Sequence, residues 1–281
     1  MSRRGQIIKK PGQEHRQELA KLIKEAAYMH ATWQIWDDLT YFAAAALAQP
    51  TLWVQKREDE YIKRAKQYNI KTQELFTRMF AEIVLAFEQE GCVDILGDMY
   101  MQLELFNKWT GQYFTPSHLC ELMAKMTEGD MKAEVEKQGY ISVCDPCCGG
   151  GAMLIAFAKN ALEQGINYQR DVLFVGQDID PVVARMCYIS MALLGMPGYV
   201  IVGNSLLMDT QNWEYWFTPM YFVNGFSWRK QKTAGITAAS ALEETEALVD
   251  TSTPGIEGSR PQPTESCETY TESNTGQLSL F

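Results

Sequence analysis

The apolar positions of this chain fall into two regimes. Between residues 13 and 90 they recur at helical spacing. Leu19, Leu22, Ile23 and Ala26 share one face of Glu14–Met29, the stretch Trp33–Leu47 is apolar and alanine-rich, and Leu75, Phe76, Met79, Ile83 and Phe87 line one face of Lys71–Phe87. A helical N-terminal region over residues 1–90 is expected, with Trp33, Trp36, Tyr41 and Phe42 in its core. From residue 91 the apolar residues also come in short runs of strand length: Tyr140–Val143, Phe174–Val175, Val200–Val202 and Tyr221–Val223. Helical spacing returns between them, as at Met153, Leu154, Ala156 and Phe157. Alternating strands and helices predict an α/β domain over residues 91–231, with Tyr221–Val223 as a short edge strand ending at Asn224. Residues 232–281 are rich in Thr, Ser, Glu, Pro and Gly with few large apolar side chains, a composition that predicts disorder. No internal repeat is visible.

The most informative junction is Val143-Cys144-Asp145-Pro146-Cys147-Cys148-Gly149-Gly150-Gly151-Ala152-Met153-Leu154. An apolar strand runs into an acidic residue, then three glycines, then the apolar face of a helix. That geometry brings a ligand against bare backbone at a helix N-terminus. The spacing is not G-x-G-x-x-G, and no Lys-Ser/Thr follows the glycines as a phosphate loop needs. A second acidic position, Asp178, ends the next strand, where a carboxylate can accept from ribose hydroxyls. Asp180-Pro181 reads as the start of the following helix.

The loop resembles the Asp-Pro-x-Cys-Gly-Ser-Gly segment of DNA adenine-N6 methyltransferases, which cradles S-adenosylmethionine (AdoMet). The resemblance extends upstream through Asp94-Ile95-Leu96-Gly97-Asp98-Met99-Tyr100 and Gly111-Gln112-Tyr113-Phe114-Thr115-Pro116, segments similar to the entry region of type I restriction-modification methylation subunits. It continues downstream through Phe174–Pro181 and Val200–Leu206. The family implies a Rossmann-like α/β methyltransferase fold, here truncated, because about three further strands would follow. It also implies roles. Cys147, Gly149 and Gly151 would present backbone to the amino-acid tail of AdoMet, with Asp145 on its ammonium. Asp178 and Ile179 would meet the ribose and its surroundings, and Asn204 with Ser205 the adenine, Asn204 standing where the family has Asp. Tyr113, Thr115 and Pro116 would close over the cofactor. The chain departs from the family at Gly150, where Ser is usual.

A larger departure concerns the chemistry. The family carries an Asn/Asp-Pro-Pro-Tyr/Phe tetrapeptide that holds the target amino group and stacks on a flipped base. This chain has none, and the nearest candidate is Asn224-Gly225-Phe226, with Asn224 as hydrogen-bonding group and Phe226 as stacking surface. Two functions therefore follow: an AdoMet-dependent adenine-N6 DNA methyltransferase of bacterial, phage or mobile-element origin, or a catalytically inactive AdoMet-binding module tethered to the DNA sliding clamp by the C-terminal peptide Gln277–Phe281. A second subunit that completes the fold or recognises the target sequence fits either one.

Charge refines the picture of partners. The net charge is −10, and residues 232–281 carry eight acidic residues against Lys232 and Arg260, leaving −4 on residues 1–231. Such a body lacks the basic surface of a stand-alone DNA binder and favours reaching duplex DNA through partners. The last five residues, Gln277-Leu278-Ser279-Leu280-Phe281, resemble the peptide by which bacterial replication and repair proteins bind the sliding clamp. In that resemblance Gln277 meets polar backbone groups while Leu278, Leu280 and Phe281 fill apolar pockets. No apolar run is long enough for a membrane span, so a cytoplasmic protein without membrane partners is expected. The seven cysteines are irregularly spaced and accompany only three histidines, which predicts reduced thiols and no metal.

Overall fold

Among the described residues, seven helices precede the first strand. The computed structural model describes residues 12–105, 115–126, 130–207 and 213–229. Helices α1 (Gln13–Ala26), α2 (Thr32–Ala48), α3 (Gln55–Ala65), α4 (Ile70–Glu90) and α5 (Ile95–Gln102) form the N-terminal part, followed by α6 (Ser117–Met126) and α7 (Met131–Gln138). The periodic positions Leu19, Leu22, Ile23 and Ala26 of α1 are buried, as are Phe76, Met79, Ile83 and Phe87 of α4. Asn69 caps α4 by accepting from the Thr72 amide, and Gly91 ends it at a φ of 67°. Trp36, Tyr41 and Phe42 lie in the core as expected, but Trp33 does not: it is 64% exposed at the first turn of α2. One turn closer to the helix start than Trp36, it falls outside the packed stripe.

Ion pairs join these helices to one another and to the sheet. Arg16 of α1 makes a bidentate bond to Glu90 at 2.6 and 2.7 Å and a further bond to Asp98 of α5 at 2.9 Å. Arg64 of α3 binds Asp37 at 2.8 Å and Asp38 at 2.6 Å, both on α2, and Asp37 in turn receives Arg185 from a helix that flanks the sheet. Such planar, two-oxygen pairing suits guanidinium at a half-buried junction.

The sheet has the order β1 (Ile141–Asp145), β2 (Val172–Asp178), β3 (Gly198–Val202), β4 (Glu214–Phe217). The first three strands are parallel and β4 is antiparallel to β3. Helix α8 (Ala152–Glu163) and the short α9 (Tyr168–Asp171) connect β1 to β2, and α10 (Pro181–Leu193) connects β2 to β3. Phe174, Val200 and Trp216 join the large core that includes α8, α10 and the N-terminal helices. Leu173, Val175, Tyr199, Ile201 and Phe217 form a second core with Tyr140, Tyr221 and Phe226. Strands apolar on both faces are what a sheet covered on both sides requires.

The expected edge strand at Tyr221–Val223 is corrected by the structure. Pro219–Val223 is a short helix, α11, and the edge strand is Glu214–Phe217 instead. The cause is Thr218-Pro219. Fully buried Thr218 accepts from the Gly198 amide at 3.0 Å, donates to the Met196 carbonyl at 2.8 Å and caps α11 through the Tyr221 amide. Pro219 stands at the first helical position, where its missing N–H costs nothing. No helix among the described residues is long and apolar enough to cross a membrane.

Candidate functional site

The strand–glycine–helix junction folds into a loop over the carboxyl ends of β1 and β2. Asp145, the last residue of β1, accepts from the Cys147 amide at 3.1 Å. The Cys148 amide bonds to the Gln177 carbonyl at 2.9 Å, and the Gly149 amide bonds to Asp178 Oδ2 at 2.9 Å, so β2 holds the loop at two successive residues. Gly149 and Gly151 have φ values of 52° and 93°, conformations that side chains disfavour. Gly151 is the N-cap of α8 and offers no side-chain cap, which leaves the first-turn amides free to meet an anionic group.

Asp178 closes the other side. Its Oδ1 accepts from the Asp180 amide at 2.9 Å and its Oδ2 from Gly149, and a carboxylate keeps further lone pairs for two vicinal hydroxyls. Asp180 caps α10 through the Val182 amide at 2.8 Å, with Pro181 behind it, so it starts the helix as its sequence context predicts. Ile179 lies 67% exposed between them, an apolar surface for a ring. At the end of β3, Asn204 turns its Oδ1 to the Leu206 amide at 2.9 Å, which among the described residues leaves one acceptor position and both amide N–H donors, and Ser205 follows it half-buried. Burial, and after it the charge of Asp178, raises the Asp145 carboxyl above its usual range. A carboxylate raised in this way is relieved by a cation, and an ammonium or sulfonium group would supply one.

Four residues in or near this loop were not assigned roles from sequence. Asp94, the N-cap of α5, accepts from the Gly97 amide at 2.8 Å, and burial raises its carboxyl to about 6. Its charge and that of Asp145 both reach Cys120 on α6, whose thiol is pushed up to about 11, chiefly by burial. Cys120 and Ala124 of α6 pack with Ala152, Met153 and Ala156 of α8, and the Cys120 thiol donates to the Thr115 carbonyl at 3.6 Å, which sets the exposed Thr115 and Pro116 on the side of α8. Tyr113 lies outside the described residues. Beneath the loop, Cys148 and Cys187 pack against Gly176, and hydrogen bonding to Cys187 together with burial holds the Cys148 thiol far above its ordinary range. The Cys148 thiol is a protonated packing group rather than a nucleophile.

Asp94 makes stability depend on pH. Because its folded value of about 6 exceeds the 3.8 of the free group, the unfolded chain loses its proton first and stability falls as pH rises from 3.8 to 6. Asp94→Asn, which keeps a good N-cap, should therefore stabilise the protein by up to about 3 kcal/mol at pH 8 and hardly at all below pH 3.8. Denaturant titrations of both proteins at the two pH values measure this; an equal effect at both would show that burial of charge is not the cause.

Asn224 and Phe226 are not brought to the loop. Asn224 follows α11 and its Nδ2 donates to the Gln169 carbonyl, which precedes the first residue of β2. The loop stands at the last residue of that seven-residue strand, about 20 Å away along it. Phe226 is buried edge-on against Tyr140, with ring centroids 5.2 Å apart, and the Arg229 guanidinium covers it at 4.7 Å. A ring so enclosed has no free face for a base. Asn224→Ala should accordingly change AdoMet affinity less than about twofold, whereas Phe226→Ala should cost about 3 kcal/mol of stability as a core deletion. Calorimetric binding and thermal unfolding of the two variants separate these outcomes.

Residues 92–233, half of the chain, match the family model for N-6 DNA methylase. The chain belongs to the N-6 DNA methylase family. The described sheet, with parallel β1–β3 and helices packed on it, is an α/β fold, and membership of the family makes S-adenosylmethionine its cofactor. Among curated proteins, it is 26% identical over 163 residues to the methylase subunit of the type I restriction enzyme MpnII of Mycoplasma pneumoniae, covering 56% of this chain and 28% of that one. It is 30% identical over 131 residues to the MjaVIII methylase subunit of Methanocaldococcus jannaschii, covering 42% of this chain and 19% of the relative. The chain thus spans 28% and 19% of the length of these relatives. Among solved structures it is similar to a class I AdoMet-dependent methyltransferase of Listeria monocytogenes described as putative, at 15% identity and a TM-score of 0.39, with 70% and 55% of the two chains covered. A type I restriction-modification methyltransferase subunit of Streptococcus thermophilus aligns at 18% identity and a TM-score of 0.32, with 70% and 45% covered.

Proposed function

We propose that this N-6 DNA methylase family member binds AdoMet through its loop and strand ends and serves methylation of adenine N6 in DNA. The observation that carries the reading is the Gly149 amide bonded to Asp178, which joins the glycine loop to the acidic end of the neighbouring strand. In this reading the uncapped start of α8 and the backbone of Cys147, Gly149 and Gly151 receive the carboxylate of the amino-acid tail. Asp145 takes its ammonium, Asp178 the ribose hydroxyls, and Ile179, Asn204 and Ser205 border the adenine, with Thr115 and Pro116 at the rim. Bound AdoMet supplies an electrophilic methyl group on a sulfonium centre. The chain's own residues bind and orient it in a site partly screened from water, and the target adenine must be presented out of its stack.

A second reading is favoured by the placement of Asn224 and Phe226: a cofactor-binding module whose acceptor-holding groups come from elsewhere. Transfer of radiolabelled methyl from AdoMet to unmodified duplex DNA distinguishes the two. Label recovered as N6-methyladenine from the purified protein supports the self-sufficient enzyme. AdoMet binding without transfer supports the module, and no AdoMet binding rejects both.

We also propose that Gln277, Leu278, Leu280 and Phe281, which lie outside the described residues, tether the protein to a bacterial sliding clamp. Deleting Gln277–Phe281 should abolish retention on immobilised clamp, and unchanged retention would overturn the tether.

A further inference from the structure

In the described sheet β1 is an edge, although it carries the cofactor loop. Strands β1, β2 and β3 step in one direction from it. In open parallel sheets the ligand crevice lies where the strand order reverses, outside the carboxyl ends. The position at which this order would reverse is the free side of β1. Parallel strands are ordinarily buried on both faces and flanked, and β2 is buried almost throughout; β1 is only half-buried along its whole length. Its sequence, Ile141-Ser142-Val143-Cys144-Asp145, has neither the Pro nor the Lys that protects natural edges, and alternate residues present backbone N–H and C=O groups outward. Beside it runs an apolar groove of about 530 Å³ formed by β1 together with residues such as Met123, Met131, Met153 and Phe157. Leu119, Leu122 and Met126 of the adjacent α6 are also exposed.

We infer that this edge is the docking site for an extended strand of a separate polypeptide, added parallel to β1, with alternating apolar side chains and neutral or basic flanks. Charge selects the occupant. The charged residues lining the groove among those described are both acidic, Glu134 and Asp145. A second copy would set the same acids against each other, and residues 232–281, with eight acidic residues against two basic, bring the same sign. Nucleic acid phosphate is disfavoured for the same reason. A parallel strand ends beside Asp145, so its carboxyl end reaches the crevice in front of the loop, where the acceptor-holding groups that Asn224 and Phe226 do not supply are needed. This deepens the cofactor-module reading of the proposed function and rests on it.

The test places a photoreactive benzophenone side chain at Met123 and, separately, at Glu134 of the full chain in the cells that make it. The expected cross-link falls in one alternating apolar segment of a distinct polypeptide. That polypeptide, purified and added back, should slow amide exchange at Ser142–Cys144 by about tenfold or more and switch on methyl transfer. Cross-links to residues 230–281, to a second copy or to nothing, or a partner that leaves exchange at β1 unchanged, would overturn the inference. AdoMet affinity measured on the same preparations separates the two failures. Intact binding without a strand partner sinks only this inference, whereas absent binding sinks the functional reading beneath it.

Discussion

Asp178→Ala should weaken AdoMet binding by about 100-fold or more while leaving the protein folded. The carboxylate does two jobs at the end of β2. It fixes the loop through the Gly149 amide, and in the proposed function its remaining lone pairs would accept from the ribose hydroxyls. Hydrogen bonds to a charged group contribute about 1.5–3 kcal/mol each, so losing two costs about 3 kcal/mol, close to a hundredfold in affinity. Asp178→Asn should fall between, since an amide oxygen can still accept from Gly149 but presents only one acceptor. Isothermal titration with AdoMet, alongside circular dichroism to confirm folding, provides the measurement. Near wild-type affinity in a folded Asp178→Ala protein would remove Asp178 from the site.

Much of the local structure of the candidate site was legible in the sequence because its cues are local. A buried strand running into Asp145-Pro146, the glycine run, and the apolar spacing of α8 lie within one short segment, and Asp180-Pro181 announces its helix by the same capping chemistry. The edge of the sheet was less visible. Tyr221–Val223 is a short apolar run that fits a buried strand or one turn of helix equally by pattern. Thr218-Pro219 carried the helix signal, but the deciding contacts go to Met196 and Gly198, some twenty residues upstream. Placement of Asn224 followed from that misreading, because a strand would have carried it toward the crevice and a helix leaves it beside Gln169. The Asp37–Arg64–Arg185 junction was invisible for a related reason: its members lie 27 and 148 residues apart, and no periodicity links them.

The loop's dependence on Gly151 gives the sharpest test of how the site is built. At a φ of 93°, any side chain there meets left-handed strain, and a Cβ would sit 2.9 Å from Cys187 Sγ and 3.4 Å from the Cys187 Cα. The strain alone costs about 1–2 kcal/mol for alanine, and the contact falls on a fully buried thiol of α10 that cannot swing into solvent. Gly151→Ala should therefore lose about 3 kcal/mol of stability and Gly151→Val more, since β-branching tightens both terms. AdoMet affinity should fall with it, because α8 begins at this residue and its free amides would shift. The two causes can be parted by a double-mutant cycle. Cys187→Ala removes the obstructing sulfur but leaves the backbone strain, so in the Gly151→Ala, Cys187→Ala protein about 1 kcal/mol of the loss should be recovered relative to additivity. Strict additivity in urea unfolding would mean that the strain acts alone and that the thiol only fills space. Recovery of stability together with AdoMet affinity would mean that α10 sets the height of the loop, and that the packing beneath the glycines is as much a part of the cofactor site as the carboxylates at its rim.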